Sequence, residues 1–174
     1  MSTGAFTAVA RRWSAAPLRL MVGWGFMAHG YSKVVAGPEH FAASLHGLGV
    51  PAPHLMAWAT IGVELVGGLA VLLGAWIPLV SVPLAAVLLV AAITVHWQYG
   101  FNTIKLVAVT SAGPKFGPPG YETNALYLAA LATLVLGGSG PWRLDRLIAR
   151  RSGRAHAAQD PPAAASAEPR RNAS

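Results

Sequence analysis

The sequence predicts an all-α, polytopic membrane protein, a bundle of four transmembrane helices with both termini in the cytoplasm. Three observations predict it. Hydrophobic residues make up 54% of the 174 residues and charged residues only 11%, whereas a soluble domain carries about 25% charged. Four stretches approach the roughly 20 apolar residues that cross a bilayer. The basic residues gather at the two ends and are sparse between the stretches, which is how charge sets orientation.

The first stretch, residues 17–36, holds Arg19, His29 and Lys33. Arg19 and Lys33 lie near its ends, where long cations can snorkel to the interfaces. A cleaved signal peptide is a poor reading, because no small-residue cleavage site follows and His29 and Lys33 fall where one would be. The second stretch, 55–76, is interrupted only by Glu64, and the third, 77–97, has no formal charge. The fourth, 120–138, is apolar from Ala125 onward. Together with their loops these form one membrane domain over 17–140, after a short basic segment at 1–16.

The connections have simpler expectations. Gly-Pro and Pro-x-Pro breaks bound a short polar loop over 37–53, carrying His40 and His46. In the long loop 98–119, the segment Thr103–Thr110 is apolar enough to be a strand or to lie on the membrane. Residues 141–151 suit an interfacial amphipathic helix entered at Pro141, and 152–174, rich in Ala, Pro and Arg, a disordered cytoplasmic tail. Arg11, Arg12 and Arg19 at one end and the arginines from Arg143 onward at the other put both termini inside.

Composition also excludes classes. The chain has no cysteine, so disulfides, thiolate metal sites, Fe–S clusters and a cysteine nucleophile are out. Its net charge of +7 is concentrated in the tail, with seven of thirteen Lys and Arg at or after Arg143. A nucleic-acid surface is therefore not expected. Six histidines without metal spacing predict no metal site. A haem between His29 and His96 is a minor alternative.

Polar residues within the spans carry the functional reading, because each is expensive in lipid and needs a partner. Glu64 lies about 13 Å below the outer surface at 1.5 Å per residue, so it is protonated or paired and faces inward. It is read either as a proton-handling carboxyl or as a buried bond between helices. His29 and Lys33, four apart, share a helix face. His29 falls close to the depth of Glu64, so a His29–Glu64 pair with Lys33 above it is expected. Arg19 is read as an interfacial anchor. His96, beside Trp97 and Tyr99, either joins this cluster or belongs to an aromatic belt. Glu122 is a further candidate ligand contact or simply a carboxylate at a helix N-terminus. The glycines 23, 25, 30, 62, 67 and 68 are read as close-approach positions between helices.

In order along the chain, Arg19-Leu20, His29-Gly30-Tyr31-Ser32-Lys33, Leu48-Gly49-Val50-Pro51, Glu64-Leu65-Val66-Gly67-Gly68, Leu73-Gly74, Gly120-Tyr121-Glu122 and Gly138–Asp145 resemble the motifs of the DoxX family. The closing Ser139-Gly140-Pro141 and Arg143-Leu144-Asp145 depart from the family's Gly-Pro-Gly and Ser-Leu-Asp. The loop Asn102–Pro119 resembles one subgroup's insert. The resemblance spans about Pro17 to Asp145. It implies a four-helix protein of the bacterial inner membrane, associated with quinone-linked oxidoreduction. Relatives in that family and the DoxD group include a subunit of thiosulfate:quinone oxidoreductase and a membrane partner of superoxide dismutase and a sulfurtransferase. The resemblance carries no settled catalytic set.

The expected function is thus a membrane subunit supporting a quinone-linked redox reaction. Glu64 and His29 would be its catalytic groups, with Lys33, His96 and Glu122 binding the ligand. A chain with no cysteine and no evident electron-carrying cofactor implies a soluble oxidoreductase partner. The alternative is a non-catalytic membrane anchor or assembly factor, alone or as a homo-oligomer.

Overall fold

A computed structural model describes residues 13–137 of the chain. The expected basic segment up to residue 12, the 141–151 helix and the 152–174 tail lie outside the described residues.

Helix α1 runs Ala15–Ala36. Its 22 residues span about 33 Å, enough for a bilayer core. Gly37, at φ 98°, ends it, and Pro38 opens a second helix, α2, over Pro38–Gly47. The loop expected here is therefore a ten-residue helix. Pro at N1 lacks only an N–H that would have had no helical partner, so the Gly-Pro break reads equally as a helix start.

Helix α3, Pro53–Leu73, and helix α4, Ile77–Tyr99, are both long and apolar enough to cross a membrane. The expected junction at residues 76 and 77 is corrected. Gly74 and Trp76 adopt left-handed backbone (φ 70° and 46°), so α3 stops at Leu73 and residues 74–76 form the turn. Both helices change ladder midway. In α3 a π-helical turn over Val63–Gly67 separates two α segments, and in α4 another spans Ala92–His96 before a closing 3₁₀ turn at Trp97–Tyr99. A π turn inserts one residue into the helix and redirects the side chains around it. Helix α5, Glu122–Gly137, completes the set.

Between α4 and α5 stands an antiparallel hairpin of β1, Leu106–Thr110, and β2, Gly113–Phe116. The strand expected within Thr103–Thr110 is present.

Helix α1 contacts α3 and α5, and α4 contacts the same two, so the four long helices close a ring. At its centre Val22, Phe26, Val71, Ile77, Leu84, Leu131 and Leu134 form one core drawn from all four. Outward-facing positions are also apolar: Met21 and Trp24 on α1, Val66 on α3, Leu79 and Val82 on α4, and Leu136 on α5. Such a continuous apolar exterior suits lipid rather than water.

Glycine sets how closely α1 and α3 approach. A Cβ on Gly23 would lie 2.6 Å from the Leu72 amide nitrogen and 2.7 Å from the Gly68 carbonyl oxygen, and one on Gly68 would meet α1 at 2.9 Å. This is small-residue packing of the kind membrane helices use. Gly62 is different, with nothing within 4 Å.

Arg19, the fifth residue of α1, is only 6% exposed, so protein covers its side chain. The reason is helical phase: Ala16, Arg19, Val22, Gly23, Phe26 and Gly30 form the buried stripe of α1.

Candidate functional site

The cavity that collects most of the predicted polar residues has a volume of about 840 Å³. That lies within the usual range for small-molecule sites, roughly 300–1,000 Å³. All four long helices contribute to its walls, and α2 covers it with Phe41, Ser44 and Leu45, joined by Leu48 just past its end. These four recur at helical spacing, so one face of α2 is committed to the cavity. The walls are largely aliphatic, with polar groups at separate points.

Glu64 is the most buried of those groups, at 5% exposure. The π turn of α3 carries it. Its partner is Lys33, whose ammonium donates to Oε2 at 2.5 Å. The expected pairing is thereby changed: Lys33, not His29, neutralises the carboxylate. Gly30 makes this approach feasible, since a Cβ there would meet the Leu65 and Glu64 side chains at 2.9 and 3.1 Å. The same ammonium lies 5.3 Å from the centre of the Phe41 ring, a cation–π distance. It thus links α1, α3 and the covering helix.

His29 lines the cavity but is exposed, so it is free of the burial that made a carboxylate partner necessary. Its ring centre is 6.4 Å from that of Tyr127. Tyr127, on α5, also packs edge-on against Phe26 at 5.3 Å. The sequence reading missed Tyr127. It follows Thr123 and Asn124 by four and three residues, so the three share a face of α5 and line the cavity together.

His96 enters from the π turn of α4. Its Nδ1 lies 3.0 Å from the Pro119 carbonyl oxygen. A carbonyl can only accept, so Nδ1 carries the proton and, in the neutral ring, Nε2 is left as an acceptor. Asn124, 8% exposed, donates from Nδ2 to the Leu88 carbonyl at 3.2 Å and joins α5 to α4.

Glu122 is not among the lining residues. Its Oε2 accepts the Thr103 amide at 2.9 Å, beside a Thr103–Thr123 hydroxyl contact of 3.0 Å. It fastens the base of the hairpin loop to the start of α5. Arg19 stands ten residues from His29, about 15 Å along α1, and does not line the cavity. Among the described residues no three His, Asp or Glu side chains gather as a metal site would need.

Both π turns open onto this one cavity: Val63 and Glu64 from α3, and Thr94, Val95 and His96 from α4. The irregular ladders therefore coincide with the polar groups, a placement common at functional sites. Chemically, the arrangement offers an apolar chamber with an ammonium–carboxylate pair at its wall, two imidazoles and a phenol.

Comparison with curated proteins and with solved structures returned no match. A sequence model of the DoxX family matches residues 14–97, which include α1 to α3, the π turn of α4, and the residues His29, Lys33, Glu64 and His96. Residues 14–97 are therefore similar to the DoxX family, whose members are membrane proteins often linked to redox-related functions.

Proposed function

We propose that this protein is a multi-pass subunit of the bacterial inner membrane that binds a quinone in the cavity between its helices and supports a redox partner enzyme. Helices α1, α3, α4 and α5 cross the bilayer, with both termini cytoplasmic and the hairpin outside. The observation that carries the reading is the Lys33–Glu64 pair at the wall of a large apolar chamber. A quinone ring needs an apolar cleft with a donor at a carbonyl oxygen. Lys33 or His29 supplies that donor. When quinol is oxidised to quinone, its two electrons pass to a soluble oxidoreductase and Glu64 relays its two protons in turn; reduction of quinone runs both flows the other way.

The test is a titration of purified protein in lipid nanodiscs with a short-chain quinone, followed by tryptophan quenching. Saturable binding by the parent that weakens tenfold or more (about 1.4 kcal/mol) in Lys33→Met and Glu64→Gln supports the reading. Binding that is absent, or unchanged in both variants, overturns it. A second reading, a scaffold, draws on one aspect of the pair, that it ties α1 to α3. Under that reading the same variants lower thermal stability and bind no quinone.

A further inference from the structure

The hairpin between α4 and α5 has no buried residue in either strand. Its register runs Leu106 with Phe116, Ala108 with Lys115, Val109 with Pro114 and Thr110 with Gly113, with an irregularity between Leu106 and Ala108. Val107 is therefore an extra residue, a bulge. In a regular strand Leu106 and Ala108 would share a face; one inserted residue reverses that parity. Leu106 accordingly joins Val109, Pro114 and Phe116 on one side. Ala108, Thr110, Gly113 and Lys115 occupy the other, joined by the bulged Val107, whose Cγ2 lies 3.1 Å from where a Cβ on Gly117 would stand. The Gly117 amide donates to the Lys105 carbonyl at 2.8 Å, which continues the ladder one step and puts Lys105 on the Lys115 side.

The hairpin is thus amphipathic, with an apolar face at 76% exposure for Val109 and 60% for Phe116 and both lysines opposite. No acidic residue lies between Gln98 and Tyr121. Its base grows from α4, a helix long and apolar enough to cross a membrane. Aromatic rings surround that base: Trp97 stacks on Tyr121 at 5.1 Å, and Phe101 meets Tyr121 edge-on at 5.5 Å. Trp and Tyr gather at headgroup level in membrane proteins.

We propose that the hairpin lies in the membrane interface. Its Leu106, Val109, Pro114 and Phe116 face enters the acyl boundary, and Lys105 and Lys115 reach the phosphates of anionic phospholipids. The bilayer is the occupant because the hairpin follows closely on α4, a helix long and apolar enough to cross a membrane, and the charge on the opposite face is wholly positive. This rests on the membrane placement of α4 and not on what fills the cavity.

A chain without cysteine makes Val109→Cys and Ala108→Cys unique labelling sites on the two faces. Each full-length variant is labelled with an environment-sensitive fluorophore and reconstituted into phosphatidylethanolamine–phosphatidylglycerol vesicles. The expected result is a blue-shifted Val109→Cys signal, quenched several-fold more by brominated lipid than that of Ala108→Cys, with aqueous iodide giving the reverse order. Equal access of iodide to both sites would overturn the proposal. So would a Val109→Cys label shielded from both quenchers, which would show a protein surface, partner or second copy, on that face. Leu106→Cys repeats the measurement on the apolar side should Val109→Cys disturb the strand.

Discussion

The hydroxyl of Tyr127 on α5 occupies the space that a side chain on Gly25 of α1 would need. The two helices meet there without a Cβ between them, and the tyrosine ring reaches the cavity wall beside Phe26 and His29. The shape of the chamber at this point depends on a residue that contributes no side chain to it.

Gly25→Ala is accordingly expected to expel Tyr127 from its place. Forcing a methyl into a filled site costs about 1–3 kcal/mol, read as a lower melting temperature in detergent. Tyr127→Phe in the same chain removes the oxygen nearest the new methyl. The double variant should recover part of the loss, leaving the remainder to the ring carbons at 2.8 and 3.0 Å. Strictly additive melting temperatures would show that the two residues do not share this space.

The Lys33–Glu64 pair predicts an asymmetry between single and double variants. Glu64→Leu leaves an ammonium without its carboxylate, and Lys33→Met leaves a carboxylate at 5% exposure without its counter-ion. Removing one member of a buried pair costs about 3–5 kcal/mol. The 22% exposure of the Lys33 side chain reduces this to about 2–4 kcal/mol. Lys33→Met with Glu64→Leu replaces both charges by apolar groups, so it should melt above either single variant. A double variant less stable than both singles would argue against the ion pair as the link between α1 and α3.

Glycine substitutions separate close approach from mere composition. Gly23→Leu meets backbone atoms of α3, which cannot rotate aside, so it should prevent folding and leave no monodisperse protein on size exclusion. Gly62→Ala meets nothing within 4 Å and sits at helical φ and ψ. It should be neutral or stabilising by up to about 1 kcal/mol. Equal damage from both would remove the packing argument.

Much of this arrangement is legible in the sequence because lipid makes exceptions visible. A lone Glu64 in an apolar run has to find a partner, and the sequence puts His29 near its depth with Lys33 one turn above. Which of them bonds it depends on the π turn at Val63–Gly67, whose extra residue rotates Glu64 relative to the rest of α3. No propensity marks such a turn. For Arg19 the structure adds to nearness to a helix end a second feature: its place three residues before Val22 and seven before Phe26 puts it on the buried stripe. Helix α2 was hidden because Gly-Pro marks a break and a helix start equally well. Tyr127 shares a face with Thr123 and Asn124, but an uncharged phenol costs little in an apolar helix and so does not stand out from the sequence.

Glu122 tests whether a carboxylate near the cavity serves the ligand or the loop. Its Oε2 accepts the Thr103 amide, while its own amide donates to the Phe101 carbonyl at 2.9 Å. The side chain therefore closes the base of the hairpin loop from the first turn of α5. Glu122→Ala leaves the Thr103 amide without that acceptor, a loss of about 1–2 kcal/mol for a charge-assisted bond. Glu122→Gln keeps an acceptor oxygen and should lose less. Hydrogen exchange in nanodiscs is expected to quicken at Thr103 and its neighbours in Glu122→Ala, to stay near the parent in Glu122→Gln, and to leave quinone titrations of both close to the parent. If Glu122→Ala instead abolished quinone binding while exchange in the loop was unchanged, Glu122 would be a ligand contact after all, and the loop base would be held by its other bonds, among them Thr103–Thr123, the Glu122 amide to Phe101 and His96–Pro119.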